Sequence, residues 1–297
     1  MRPTPELAYL VCATQRSGST VLCETLRATG VAGQPLEHFE HLRHSGRPRQ
    51  GHEYLAGVDD HALEGLLPPP APVRDEGDES PSAWWSRIVR EGSSANGVWG
   101  GKLMWDHVDD FTARAGQLDG VGAGAGLAEV LDRLFGELRL VYVRREDTVA
   151  QAISFWRAIQ TQAWRHDPDA KHAPPAYHYG AIDHLVTLLE QHDAAWQRWF
   201  ADGGREPLTL VYEQLRDDVS GAVGEIVRSL GLTVGELPAP ALSRQRDGTS
   251  REWAQRFREE RAARTAEVVA DGALAAEAAG ARGAEAEAGG AREGAVA

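Results

Sequence analysis

Residues 14–20 read TQRSGST and lie between an apolar run, AYLVCA, and the stretch VLCETLRATG. Small residues joining a strand to a helix can curl so that several backbone N–H groups converge on one anion. The helix N-terminus adds about half an elementary charge. Ser17, Gly18, Ser19 and Thr20 supply the small residues, and Arg16 the one full positive charge. A Walker A loop, G-x-x-x-x-G-K-[ST], needs lysine at the terminal phosphates and a hydroxyl on magnesium. Ser19 stands where that lysine would be. An arginine fork, by contrast, clasps oxyanions without a metal. The stretch predicts a phosphate or sulfate site ill suited to metal-assisted ATP hydrolysis. The competing reading is a plain strand-to-helix turn.

A second cluster lies in LVYVRREDTVAQAISFWRA, residues 140–158. Arg144 and Arg145 end an apolar run, Glu146 or Asp147 can cap the following helix, and Ser154 lies a few turns along it. Arginine at a strand's carboxyl end beside a serine can hold a second phosphate, in the crevice where α/β sheets bind ligands. Alternatively Arg145 pairs with an acid and Ser154 faces water. Further candidates for chemistry are Glu37, with His38 and His41 close by, and Lys102 at the end of GGKLMW. A solvated glutamate and a lysine snorkelling from a strand end are their plainer readings. His107 starts a helix, where capping or exposure is expected.

These groups must be carried by elements. Strand patterns occupy 8–13, 97–105, 138–145 and 208–212, as short runs rich in β-branched and aromatic residues. Helical patterns cover 19–29, 82–91, 107–115, 126–135, 147–163, 178–201 and 219–230. The alternation predicts an α/β fold, with a central parallel sheet flanked by helices in three layers. One domain is expected over 1–264, and a low-complexity Ala/Glu/Gly/Arg tail over 265–297, read as disordered.

Composition excludes some classes. Net charge is −13, from 31 basic and 44 acidic residues among 297, which argues against a nucleic-acid partner. No apolar run approaches the ~18 residues of a membrane span. The start, MRPTPELAYL, lacks a secretory leader, so a cytoplasmic protein is expected. Cys12 and Cys23 fit neither a zinc site nor a redox pair and read as reduced core thiols.

Two phosphate sites, one per strand-to-helix turn, without a Walker lysine, suit a nucleotide phosphorylated at both ends of its ribose. Four stretches carry a resemblance: AYLVCATQRSGSTVLCETLRATGVAGQPLEHF, NGVWGGKLMW, AISFWRAIQTQAWR and RQRDGTSREW. Over about residues 7–262 the chain resembles the trehalose 2-sulfotransferase family of bacterial carbohydrate sulfotransferases. The resemblance implies a P-loop-like fold, 3′-phosphoadenosine 5′-phosphosulfate (PAPS) as donor, 3′-phosphoadenosine 5′-phosphate (PAP) as product, no metal, and a homodimer. It assigns Arg16, Ser17, Gly18, Ser19 and Thr20 to the 5′-phosphosulfate, and Arg145 and Ser154 to the 3′-phosphate. Arg244, Gln245 and Arg246 match a late loop closing over the nucleotide.

On the acceptor side the resemblance makes Glu37 the general base. By analogy with other sulfotransferases, Lys102 would neutralise the bridging oxygen. Gln15, Gln34, Pro35, Leu36, His38, Phe39 and Tyr54 fall at acceptor-contact positions. There the chain reads GQPLEHF where the family pattern is GEPQEFF, and Tyr54 stands where a tryptophan is expected. The donor half is thus intact and the acceptor half edited. A small-molecule hydroxyl acceptor, a sugar or glycoside, follows. The rivals are a P-loop-type phosphotransferase using ATP and a non-catalytic nucleotide binder.

Overall fold

The computed structural model describes residues 3–42, 47–69, 79–164, 174–239 and 248–293, with side chains described as far as Asp271. Four strands, β1 (Leu7–Ala13), β2 (Val98–Met104), β3 (Leu138–Arg144) and β4 (Leu208–Val211), form one sheet in the order β2-β1-β3-β4. Every pairing is parallel. Among the described residues eight α-helices precede the last: α1 (Ser19–Ala28), α2 (Pro81–Gly92), α3 (Val108–Ala115), α4 (Leu127–Phe135), α5 (Thr148–Thr161), α6 (Tyr179–Asp202), α7 (Tyr212–Leu215) and α8 (Val219–Ser229).

β1 shows why its sequence is an unbroken apolar run. Ala8, Leu10 and Cys12 enter one core, with Trp84, Trp85 and Trp99 and side chains of α3, α4 and α6. Tyr9, Val11 and Ala13 enter another, built from α1, α8 and the opposite face of the sheet. A strand buried on both faces cannot alternate with polar residues. Helices cover both faces, which gives the expected three layers.

The chain leaves β1 toward β2 and leaves β3 toward β4, in opposite directions. The carboxyl ends of β1 and β3 therefore flank a topological switch point, where open α/β sheets form their ligand crevice. Residues 14–18 and 145–147 lie there.

The outer edge of β2 carries the segment after α1. Lys102 N donates to Leu36 O at 2.9 Å, and Leu36 makes a single parallel bridge to Gly101. A Cβ at Gly33 would sit 2.5 Å from Gly100 N, so this approach requires glycine.

The chain divides into two compact units, 1–246 and 247–297. The second contains α9 (Gly248–Glu293), so the boundary drawn from composition at 264/265 falls inside a helix. Residues 265–293 of the expected low-complexity tail lie within α9, and alanine, glutamate and arginine, which rank high in helix propensity, permit that. Among the described residues no helix is long and apolar enough to cross a membrane.

Candidate active site

The loop after β1 is held from beneath by side chains. Gln151 of α5 donates to Thr14 Oγ1 at 2.9 Å and to Gln15 O at 2.6 Å, and Trp196 of α6 donates to Ala13 O at 2.9 Å. Arg16 has φ 61° and Gly18 φ 89°, two left-handed residues within three, which is how the chain curls before α1. No acidic residue occupies the first turn of α1, and no side chain caps it. Its leading N–H groups have no partner within the helix. Ser17 is fully buried, and its Oγ has no hydrogen-bond partner among the described residues. The orphaned hydroxyl and helix terminus suit an anion.

Two guanidinium groups converge on this loop. Arg16 Nε donates to Ser154 Oγ at 3.1 Å and its Nη1 to Trp164 O at 2.8 Å. Arg145 Nη1 donates to Arg16 O at 3.3 Å. Among the described residues, neither arginine makes an ion pair with a carboxylate. Burial lowers the pKa of both, and for Arg16 the neighbouring Arg145 lowers it further. Two buried like charges together, neither in a direct ion pair among the described residues and with carboxylates acting only from a distance, are what an anion site needs. Of the predicted donor set, Arg16, Ser17, Gly18, Ser19, Thr20, Arg145 and Ser154 therefore meet at one crevice. Arg244, Gln245 and Arg246 lie outside the described residues.

Glu37 and Lys102 come from different elements and meet as an ion pair. The Lys102 side chain is only 4 % exposed, and Nζ also donates to Thr20 Oγ1 in the first turn of α1 at 3.2 Å. Burial, the largest single influence, presses Lys102 toward its neutral form, but the charge and hydrogen bond of Glu37, together with Cys23 and Glu40, outweigh it, and the pKa is raised. Carboxylate, ammonium and loop hydroxyl thus form one continuous chain. The Glu37 carboxylate is partly exposed, 26 %, and so can be reached by a substrate.

Beyond the loop lies a cavity of about 330 Å³ lined by Arg49, Tyr54, Trp105, Asp106, His184 and His192, among others. Asp106 is its hub. It accepts from Gln15 Nε2 and pairs with Arg49 at 3.4 Å. Arg49 Nε and His107 Nε2 stand 3.4 and 3.5 Å from Asp106 Oδ2, while Gln15 Oε1 and His192 Nδ1 are buried without a hydrogen-bond partner among the described residues. An amide oxygen and a ring nitrogen left open beside this charged cluster suit a ligand whose groups can both give and take hydrogen bonds, as hydroxyls do.

Tyr54 reaches this cavity, with its ring 4.9 Å from that of Phe155 and Arg49 over its face at 5.8 Å. Gln34, Pro35 and Leu36 follow the edge of β2. His38 is bonded to Gln34 O at 2.9 Å and its ring is 6.1 Å from that of Trp99, while Phe39 packs on Phe111 at 4.2 Å. Both turn into the core beside β2, and neither lines the cavity. Burial lowers the His38 pKa.

Sequence reasoning passed over Asp106, Arg49 and His192. Asp106 follows the carboxyl end of β2, where ligand contacts are expected, and His184 and His192 are two turns apart on one face of α6. Those signals were available. His107 is buried rather than exposed.

The Stf0 sulphotransferase family model matches residues 8–260. The trehalose 2-sulfotransferase of Mycobacterium tuberculosis (strain ATCC 35801 / TMC 107 / Erdman) is 42 % identical over 253 residues, 85 % of this chain and 94 % of that one. That of Mycolicibacterium smegmatis (strain ATCC 700084 / mc(2)155) is 40 % identical, over 84 % of this chain and 94 % of its own. Among solved structures, a sulfotransferase from Alicyclobacillus acidocaldarius aligns with 85 % of this chain and 91 % of its own, at 12 % identity and a TM-score of 0.43. The chain belongs to the Stf0 sulphotransferase family.

Proposed function

From a family whose chemistry is sulfuryl transfer, we propose that this member moves the sulfuryl group from PAPS to a hydroxyl of a carbohydrate or glycoside. The observation that carries the reading is the chain Glu37–Lys102–Thr20, which ties the acceptor segment to the anion loop. The acceptor class follows from the names of two relatives and from the hydroxyl-suited cavity beside Gln15 and Tyr54. Gln34, Leu36, His38 and Tyr54 depart from the family pattern on the acceptor side, so trehalose is one acceptor to be tested among others.

PAPS supplies an activated sulfuryl group on a phosphate leaving group. Arg16, Ser17, Gly18, Ser19 and Thr20 hold its 5′ end; Arg145 and Ser154 hold the 3′-phosphate. Glu37 takes the proton of the attacking hydroxyl, whose oxygen forms the new S–O bond. Lys102 stabilises the electron pair left on the phosphate oxygen as the old S–O bond breaks. Such in-line transfer depends on positioning and charge stabilisation. Lys102 bonded to both Glu37 and Thr20 is well placed to join base and leaving group. A homodimer and a cytoplasmic location complete the proposal.

The test is incubation with PAPS and a panel of disaccharides and glycosides, followed by mass analysis. A product heavier by one sulfuryl group is expected. Thermal unfolding should respond strongly to PAP and weakly to ATP with magnesium; equal responses would overturn the donor assignment.

A further inference from the structure

Tyr212 opens α7 directly after β4 and belongs to neither phosphate-binding turn, yet it touches both. A Cβ at Gly18 would meet Tyr212 Cδ2 at 2.6 Å and Cε2 at 3.2 Å, so the ring is pressed against the loop backbone. The Arg145 guanidinium stands over the same ring, 4.2 Å from its centre. The next residue, Glu213, accepts from the backbone N–H of Glu146 at 3.2 Å and of Asp147 at 3.3 Å. This short element therefore grips the turn after β3 at two points while bearing on the loop after β1.

The choice of an aromatic ring under Arg145 has a chemical consequence. A flexible guanidinium must be fixed if it is to read one phosphate. A carboxylate in direct contact would fix it but would also compete with the incoming anion. A ring face attracts the cation without occupying its N–H donors. Arg145 Nε is buried and has no partner among the described residues, as such a scheme requires.

We propose that Tyr212 is the positioning residue for recognition of the donor's 3′-phosphate: it sets Arg145 at a fixed distance from the Gly18 loop. The enzyme then reads a nucleotide by two phosphates at once. This rests on the donor assignment above.

Calorimetric titration of PAP and of 5′-AMP, which lacks the 3′-phosphate, tests it. Tyr212→Phe keeps the ring and should bind PAP as the wild type does. Tyr212→Leu keeps an apolar contact to Gly18 but offers no ring face; PAP affinity should fall about tenfold, with AMP held within about twofold. The preference for PAP over AMP is the readout, because a merely structural defect weakens both ligands alike. An equal loss for both, or none for PAP, would overturn the role of Tyr212. If Tyr212→Leu does not fold, Tyr212→Met offers the same comparison. A wild type without preference for PAP over AMP overturns the donor assignment itself, and the positioning role with it.

Discussion

The proposed donor side and the proposed acceptor side of this site are built by different means. The residues proposed to hold the donor lie at the ends of two adjacent central strands and the turns that follow them, with backbone fixed by the sheet and by Gln151 and Trp196. Those proposed to hold the acceptor lie on an irregular segment hung on the edge of β2, a short 3₁₀ turn at Gly51–Leu55, and one face of α6. The first arrangement leaves little freedom to vary. The second changes by single side chains without disturbing the sheet, and the departures from the family pattern are found there.

The comparison breaks most sharply at Glu37, which belongs to the acceptor segment but is held by Lys102. Glu37→Gln should lower turnover by ~10²–10⁴ with an accepted sugar, leaving PAP affinity unchanged. Near-wild-type turnover would place the base elsewhere. On the donor side, Arg145→Ala should weaken PAP by ~1.5–3 kcal/mol, the usual worth of hydrogen bonds to charged groups. The acceptor KM should not follow. On the acceptor side, Asp106→Asn keeps the shape but removes the charge facing Gln15 and Arg49. It should raise the acceptor KM by roughly tenfold, equivalent to about 1.4 kcal/mol, with PAP binding intact. If donor binding falls as well, the two halves are not separable.

The smallest expected effect concerns pH. The raised Lys102 pKa means that its pairing with Glu37 contributes stability fully present below about pH 10, the range of an unfolded lysine. That contribution is lost as pH rises through the higher folded value. Denaturant unfolding between about pH 9 and 12 should therefore show a steeper loss for the wild type than for Glu37→Gln. Parallel curves would mean that the pair is not closed in solution.

The same division governs what could be read from sequence. Each strand lies within a residue or two of its expected limits: β1 and β2 are buried on both faces and leave apolar runs, while β3 and β4, part-exposed near their starts, still show short ones. The loop at 14–20 and the Arg145 turn were legible because each is contiguous and follows such a strand. Position in a motif places His38 and Phe39 among the acceptor residues, but nothing in the sequence says which way a side chain turns in a segment without regular period. Trp99 and Phe111 decide that, from 60 or more residues away. Asp106, Arg49 and His192 come together only through tertiary packing. The short helix at Tyr212–Leu215 has too few residues to display a period at all.

The segment that delivers Glu37 also has a second physical consequence. β2 ends the sheet, and a bare edge strand offers unpaired N–H and C=O groups to any other chain. Here Leu36 bridges Gly101 and Ser93 bridges Trp99, while Ser94 N donates to Val98 O at 2.9 Å. The segment that carries Glu37, together with the turn at Ser93 and Ser94, is thus also the seal on the sheet's margin. A substitution that loosens it, such as a larger residue at Gly33, would cost solubility as well as turnover, by opening a template for strand addition.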